Sequence, residues 1–290
     1  MPQINVTVDD VSPLITYGPS GAWQGAESPF YLDSTYTIAD VSAATASFSF
    51  YGSAIWIFAA KGTTSPVYNV TLDGATSSFN GIVDSPVYQT PIFNATDLTL
   101  GNHHVTLTNA PVTGNGSDPL LTLDYIVWQT EIGQASDTIK HAVIEDTDPA
   151  FDYQPENAWY SINNPNESYQ YVQNSSHIHQ KETVTDWCSQ GEHIELFGFV
   201  GPEWSNYSVQ LDNGDPIVRS AYRDASSEPA LLFFATNLAA GNHSLKIANV
   251  PTDVPINSHS TSIDYANVSW TVSRLVARPF TVAFRSLIPG

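Results

Sequence analysis

Tryptophan and tyrosine are the residues whose type and position in this sequence best suit ligand chemistry. Trp23 and Trp159 each follow a turn-rich stretch, 136 residues apart. A flat aromatic ring packs against the C–H face of a sugar, and a few aimed polar groups then bind its hydroxyls. These two residues are therefore candidates for two copies of one sugar platform. The alternative is that each tryptophan pins an early strand inside a core, since a duplication preserves core positions as well.

Further candidates lie in predicted loops. Trp204 stands in the stretch Gly-Pro-Glu-Trp-Ser-Asn-Tyr, where Pro and Glu argue against burial, so we predict that this ring is exposed. Tyr88 and Tyr222 precede two similar strands, and Arg223 beside Tyr222 suits hydrogen bonding to hydroxyls or to a carboxylate. These four residues complete the predicted ligand-binding set.

Histidine offers the main argument for an enzyme or a metal centre. His177 and His179 would present two imidazoles on one face of a strand, with Glu182 nearby, but the first half of the chain lacks this pair. No Gly-Xaa-Ser-Xaa-Gly nucleophile motif is present. We therefore predict a non-catalytic protein, with a jelly-roll lyase or hydrolase as the rival. His103 and His243 both follow Gly-Asn and are predicted to anchor turns.

Composition and charge exclude several classes of partner. The formal net charge is −20, which repels nucleic acid phosphates and anionic membranes. No apolar run reaches the ~18–20 residues of a membrane-spanning helix. A single cysteine, Cys188, leaves no intrachain disulfide and is predicted to be a buried thiol. The sequence thus predicts neither nucleic-acid binding nor a membrane span.

Asn-Xaa-Ser/Thr glycosylation motifs are unusually frequent and favour a secreted, extracellular glycoprotein, although the polar start MPQINVTVDD shows no signal peptide. The nine motifs begin at Asn5, Asn69, Asn94, Asn115, Asn166, Asn174, Asn206, Asn242 and Asn267.

An internal repeat organises the whole chain. FNATDLTLGNHHVTLTNAP (93–111) returns as FFATNLAAGNHSLKIANVP (233–251), with nine of nineteen positions identical. LTLDY (121–125) returns as TSIDY (261–265). The repeat predicts two similar modules at 1–136 and 137–273. Residues 274–290 form a tail with alternating apolar residues, which we interpret as an extra strand.

The segments between turn signals predict strands throughout. Ala46–Phe50 alternates, Ile55–Ala60 is a short apolar run, and Tyr68–Leu72 ends at a tight Asp-Gly turn. Residues 121–128 and 262–270 are each predicted as one closing strand, and 131–141 as a linker. About eight short strands per module indicate an all-β fold with two tandem jelly-roll β-sandwiches.

These motifs together resemble the galactose-binding-like β-sandwich, which is shared by many carbohydrate-binding modules. The fuller pattern is similar to fungal secreted or cell-surface proteins that carry two such modules in tandem. The resemblance implies a ligand site in loops or on a sheet face, and no catalytic residues. Because some relatives hold a structural calcium ion, it raises two carboxylate sets as candidate ligands, although these acids equally suit capping of the sheet ends. The sets are Asp9, Asp10 and Asp124, and Glu145, Asp146 and Asp264.

The combined prediction is a secreted glycoprotein that binds a glycan, such as a cell-wall polysaccharide, without transforming it. The rival is an assembly protein in which the modules are scaffold and the apolar tail binds a second copy or another protein.

Overall fold

The computed structural model describes residues 1–65, 67–110, 120–164, 167–173, 184–224, 228–239, 241–250 and 260–273. Five sequence predictions lie outside these residues: the tail 274–290, the pair His177 and His179, and the three motifs at Asn115, Asn166 and Asn174. Within the described residues, no helix is long and apolar enough to cross a membrane.

The fold is all-β, as predicted, and its two halves repeat the same strand order. The only helical segments in the described chain are the 3-10 turns Leu32–Ser34 and Glu156–Ala158. The first module contains β1 (Gln3–Asp9), β2 (Thr16–Gly18), β3 (Trp23–Glu27), β4 (Thr35–Ala39), β5 (Thr45–Gly52), β6 (Ala54–Lys61), β7 (Val67–Leu72), β8 (Ala75–Asn80), β9 (Val87–Ala95), β10 (Gly101–Asn109), β11 (Leu121–Leu123) and β12 (Tyr125–Glu131). The second contains β13 (Thr138–Glu145), β14 (Phe151–Gln154), β15 (Trp159–Asn164), β16 (Glu167–Gln173), β17 (Val184–Gln190), β18 (His193–Val200), β19 (Asn206–Leu211), β20 (Ile217–Ser220), β21 (Glu228–Thr236), β22 (Asn242–Val250), β23 (Ser260–Ile263) and β24 (Tyr265–Val272).

Each module is a sandwich of antiparallel sheets. A four-stranded sheet, β1-β12-β6-β9, faces a five-stranded sheet, β2-β5-β10-β7-β8, and a small sheet β11-β4-β3 closes one end. The second module repeats this as β13-β24-β18-β21, β14-β17-β22-β19-β20 and β15-β16-β23. Along β5 the side chains alternate, so that Phe48 and Phe50 are buried while Ser49 is exposed. Alternation of this kind gives each sheet one core face.

The predicted closing strands are each two strands, which corrects the sequence analysis. Asp124 separates β11 from β12, and Asp264 separates β23 from β24. β11 pairs with β4 in the small sheet, whereas β12 pairs with β1 and β6 in the four-stranded sheet. The aspartate therefore marks the point where the chain changes sheets. The predicted linker was also too long, because β13 already begins at Thr138 and pairs with β24.

Each module has its own core, and the two cores exchange residues where they meet. The first is built around Phe48, Ile57 and Trp128, the second around Ile194, Leu196 and other buried residues. Leu231 of the second module belongs to the first cluster, and Phe234 packs 4.6 Å from the Trp128 ring. The two sandwiches are therefore in direct apolar contact.

The predicted histidine anchors are confirmed in both modules. His103 Nδ1 lies 2.6 Å from Asp73 Oδ2, and its Nε2 lies 2.8 Å from the carbonyl oxygen of Thr99. His243 repeats the arrangement, with Nδ1 2.9 Å from Asp212 Oδ2. Each imidazole joins the turn after one strand to the start of another, which is a structural role.

Candidate functional site: the groove between the modules

The three tryptophans proposed for ligand binding are buried. Trp23, Trp159 and Trp204 are 8%, 9% and 5% exposed. Trp23 packs on Tyr17 with ring centroids 5.2 Å apart, and Trp159 packs on Tyr153 at 4.8 Å. The core alternative is therefore the correct interpretation for Trp23 and Trp159.

The prediction that Trp204 is exposed was wrong. Its backbone forms a bridge with Ser260, which draws the loop onto the sandwich, and its ring belongs to the second core near Phe199. Pro202 and Glu203 are exposed as expected, but they turn the chain so that the following indole points inward. The polar residues of this loop therefore predicted their own exposure correctly, but they did not predict the burial of the Trp204 ring.

Tyr88, Tyr222 and Arg223 have three different environments. Tyr88 is 37% exposed and stacks on the exposed Phe30 at 4.9 Å. Tyr222 is 41% exposed, and its hydroxyl donates to Asp224 Oδ1 at 2.8 Å. The Arg223 guanidinium donates to the backbone carbonyl oxygens of Ser220, Tyr222 and Ser12.

The acidic residues proposed as calcium ligands form tight groups that bond to the protein itself. Asp10 accepts hydrogen bonds from the hydroxyls of Thr35 and Thr37, and Asp124 Oδ1 accepts one from the Leu32 amide at 3.0 Å. Thr35 also lies 3.0 Å from Asp9, so its single hydrogen serves two carboxyls. Most of these oxygens are thus aimed at internal donors.

Burial raises the pKa of each acid in the first group. It raises the pKa of Asp9 to about 8 with help from the neighbouring Asp10, and that of Asp124 to about 7. The pKa of Asp10 rises to about 6, because burial outweighs the two threonine hydrogen bonds. Carboxyls whose pKa values are raised in this way are desolvated, because burial disfavours the charged form.

In the second set, Glu145, Asp146 and Asp264, fewer of the acids are buried than in the first. The amide of Asp146 donates to the carbonyl oxygen of Asp264, as that of Asp10 does to Asp124, and burial raises the pKa of Asp264 to about 6. Glu145 is exposed. Among the described residues, no three carboxyl, imidazole or thiol groups are placed to hold one metal ion. Calcium binding by either group stays a prediction.

A site that the sequence analysis missed lies on the outer sheet face of the second module. Phe197 on β18 and Tyr265 on β24 are direct cross-strand neighbours, with ring centroids 4.5 Å apart and planes 13° from parallel. The first module has the same pair at equivalent positions, Phe58 and Tyr125, at 4.3 Å and 11°. The signal was present in the sequence, because both tyrosines follow the repeated aspartate of LTLDY and TSIDY.

Among the described residues, Phe197 and Tyr265 line the groove between the modules, whereas Phe58 and Tyr125 do not. The first module's edge strand β1 lies beside the second module's edge strand β21, which leaves a groove of about 620 Å³ over the outer faces. Its lining residues are Asn5, Thr7, Asp9, Leu32, Asp33, Ser34, Glu195, Phe197, Pro229, Ala230, Leu231, Asp264 and Tyr265. It therefore combines an aromatic pair with hydroxyl, amide and carboxyl groups from both modules.

Glu195 is the most fixed polar group in the groove. It is 9% exposed, its Oε1 lies 3.0 Å from His193 Nε2, and its Oε2 accepts a hydrogen bond from Asn267 Nδ2 at 3.0 Å. The equivalent positions in the first module are Trp56 and Val127, in place of Glu195 and Asn267. The second module thus carries an oriented carboxylate where the first carries apolar side chains.

The groove is acidic as well as aromatic. Asp9, Asp33, Glu195 and Asp264 contribute four carboxyl groups, and no lining residue among those described is Lys, Arg or His. Carboxylates accept hydrogen bonds from hydroxyl or ammonium donors, and they repel anions. The groove is suited to a neutral or cationic ring and not to an anionic one.

No protein-family model and no curated protein matches this sequence. Solved structures that resemble it include a xanthan lyase from Paenibacillus, at 13% identity and a TM-score of 0.30, over 90% of this chain and 25% of that one. The CBM36-1 domain of a multidomain xylanase from the hindgut metagenome of Trinervitermes trinervoides aligns at 16% identity and 0.31, over 45% of this chain and all of that domain.

The ANXUR1 extracellular domain of Arabidopsis thaliana aligns at 8% identity and a TM-score of 0.27, over 93% of this chain and 97% of that one. This chain spans about a quarter of the length of the xanthan lyase. The solved structures thus include carbohydrate-active and extracellular proteins, at similarities that identify no family.

Proposed function

We propose that this protein is an extracellular, non-catalytic glycan-binding protein and that the groove between its modules is the binding site. The observation that carries the proposal is the stacked, partly exposed pair Phe197–Tyr265 in the lining of a groove that also contains hydroxyl, amide and carboxyl groups. Sugar rings need this combination, because their C–H faces pack on aromatic carbon while their hydroxyls need fixed acceptors. Glu195, held by two neighbours, is such an acceptor.

The charge of the groove sets the class of glycan. The lining has four carboxyl groups and no basic residue, which favours neutral polysaccharides or those with amino groups, although Asp9 becomes charged only near pH 8 because burial raises its pKa. Polymers of uronic acids carry a carboxylate on every sugar and should be repelled. The expected ligands are therefore neutral or amino-sugar polymers of the kind found in cell walls.

Isothermal titration calorimetry against defined oligosaccharides tests the proposal. The ligands are neutral glucan, xylan and mannan oligomers, glucosamine and N-acetylglucosamine oligomers, and oligogalacturonate. The protein should come from a bacterial host, because the glycosylation motif at Asn5 lines the groove and an attached glycan would obstruct it. We expect binding of at least one neutral or amino-sugar oligomer and none of oligogalacturonate.

Matched variants locate the site. Phe197→Ala with Tyr265→Ala should weaken binding about tenfold or more, equivalent to about 1.4 kcal/mol. Phe58→Ala with Tyr125→Ala removes the equivalent pair of the first module and should leave affinity unchanged. Equal losses in both variants would place the site elsewhere, and a wild-type protein that binds none of the oligomers would refute glycan binding. Release of shortened oligomers during the titration would refute the non-catalytic assignment.

A further inference from the structure

Two arginines of the second module hold the backbone of the first. The Arg223 guanidinium donates to the carbonyl oxygen of Ser12 at 2.8 Å, and Arg219 donates to that of Pro13 at 3.3 Å. The Ser12 hydroxyl donates in the other direction, to the carbonyl oxygen of Leu231 at 2.6 Å. Three hydrogen bonds thus join residues 12–13 to the second module at one short segment.

The Arg223 side chain is partly buried at this contact. Burial lowers the pKa of its guanidinium, while the nearby Tyr17, Tyr207 and Asp10 act in the opposite direction. Arg223 in turn lowers the pKa of Asp10 against the effect of burial. The positive charge of Arg223 in the second module therefore partly offsets the burial of the Asp10 carboxyl in the first, and removing Arg223 should raise the pKa of Asp10 further.

The first module shows which residues stand at the positions equivalent to Arg219 and Arg223 where no such contact is made. Tyr222 bridges Gly201 as Ile82 bridges Gly62, so the residue equivalent to Arg223 is Val83. Tyr207 pairs with Arg219 as Tyr68 pairs with Phe79, so the residue equivalent to Arg219 is Phe79. In the first module both positions are apolar, and Phe79 packs on its own neighbour Tyr68 at 5.6 Å. The sandwich itself therefore does not require arginine at either position.

We propose that Arg219 and Arg223 are an inter-module lock, through which the two sandwiches form one rigid body. They are positioning residues, because neither lines the groove, whereas Leu231, Pro229 and Ala230 of the strand held by Ser12 do. The lock keeps β21 beside β1 and so preserves the width of the groove. This inference goes beyond glycan binding and does not depend on it.

The test measures the inter-module distance in the full chain. Spin labels are attached at Thr76→Cys and Asn213→Cys, which are exposed positions in the two modules, in a Cys188→Ser background. Double electron–electron resonance should give one narrow distance distribution. Replacing Arg219 by Phe and Arg223 by Val restores the residues of the first module and should at least double the width of that distribution. Thermal unfolding should separate from one transition into two.

Two further variants keep the test decisive. Ser12→Ala removes the hydrogen bond to Leu231 and the one that its hydroxyl accepts from the Leu14 amide, and it leaves both arginines in place. It should broaden the distribution by a smaller amount, and it keeps the proposal testable if the double variant fails to fold. Lys140→Val removes an exposed cation of the second module and should change nothing. A narrow distribution and a single transition in every folded variant would overturn the lock.

Discussion

The acidic group of the first module predicts that this protein loses stability as the pH rises from about 4 to about 8. Asp9, Asp10 and Asp124 ionise near pH 3.8 when the chain is unfolded, but burial raises their pKa values to about 8, 6 and 7 in the folded protein. The folded state therefore binds more protons in this window. Because a raised carboxyl pKa favours the folded state only while the proton is retained, stability is present at low pH and is lost as the pH approaches the folded pKa.

The magnitude follows from the number of retained protons. Each one changes the free energy of unfolding by about 1.4 kcal/mol per pH unit, so a single carboxyl that keeps its proton from pH 5 to 7 costs about 3 kcal/mol over that range. His243 adds to the same trend near neutrality, since its hydrogen bond to Asp212 raises its pKa. We expect the urea midpoint to fall clearly between pH 5 and pH 7.

Urea unfolding of matched variants separates this group from the general effect of a −20 net charge. Asp124→Asn removes one of the three titrations and should flatten the pH dependence, whereas Asp40→Asn, at an exposed position, should keep the wild-type slope. Stability that rises between pH 5 and pH 7, or a slope unchanged by Asp124→Asn, would refute the reasoning. Added calcium gives a further test, because an ion bound by these carboxylates would prevent the loss of stability as the pH rises, and EDTA would restore that loss.

Four other outcomes follow from particular contacts. Tyr68→Phe and Tyr207→Phe each remove a 2.7 Å hydrogen bond to a carbonyl oxygen, and each should lower the free energy of unfolding by about 1 kcal/mol in urea titrations; no change in either would contradict these equivalent roles. Gly52→Ala and Gly198→Ala would press a new Cβ onto the carbonyl oxygens of Gln129 and Ser262, and each should cost roughly 1–3 kcal/mol or more by the same assay. Leu196→Ala should cost about 2–5 kcal/mol, because this side chain is fully buried in the second core, and a smaller loss would indicate local collapse around it. After expression in a eukaryotic host, peptide mapping should find glycan at the exposed Asn94 and Asn242 and not at Asn267, whose amide donates to Glu195.

Much of the site was beyond sequence reasoning because its parts come from both modules. Phe197 and Tyr265 are far apart in the chain and become neighbours only through the pairing of β18 with β24. Asn5 and Asp9 join them through the contact between the sandwiches. Turn composition around Trp23 and Trp204 suggested exposed rings, but burial of a large apolar surface outweighed the local polarity.

The sequence by itself determined the all-β fold, the duplication and the histidine-anchored turns, because alternation, turn residues and repeated motifs act over short distances along the chain. The tertiary structure alone decided which aromatic rings face outward together, which acids share one buried space, and that Arg223 compensates a carboxyl of the other module. The first two outcomes depend on strand pairing between residues distant in the chain, and the third depends on how the two sandwiches dock. Both are set by shape and desolvation over surfaces that no local stretch of sequence encodes.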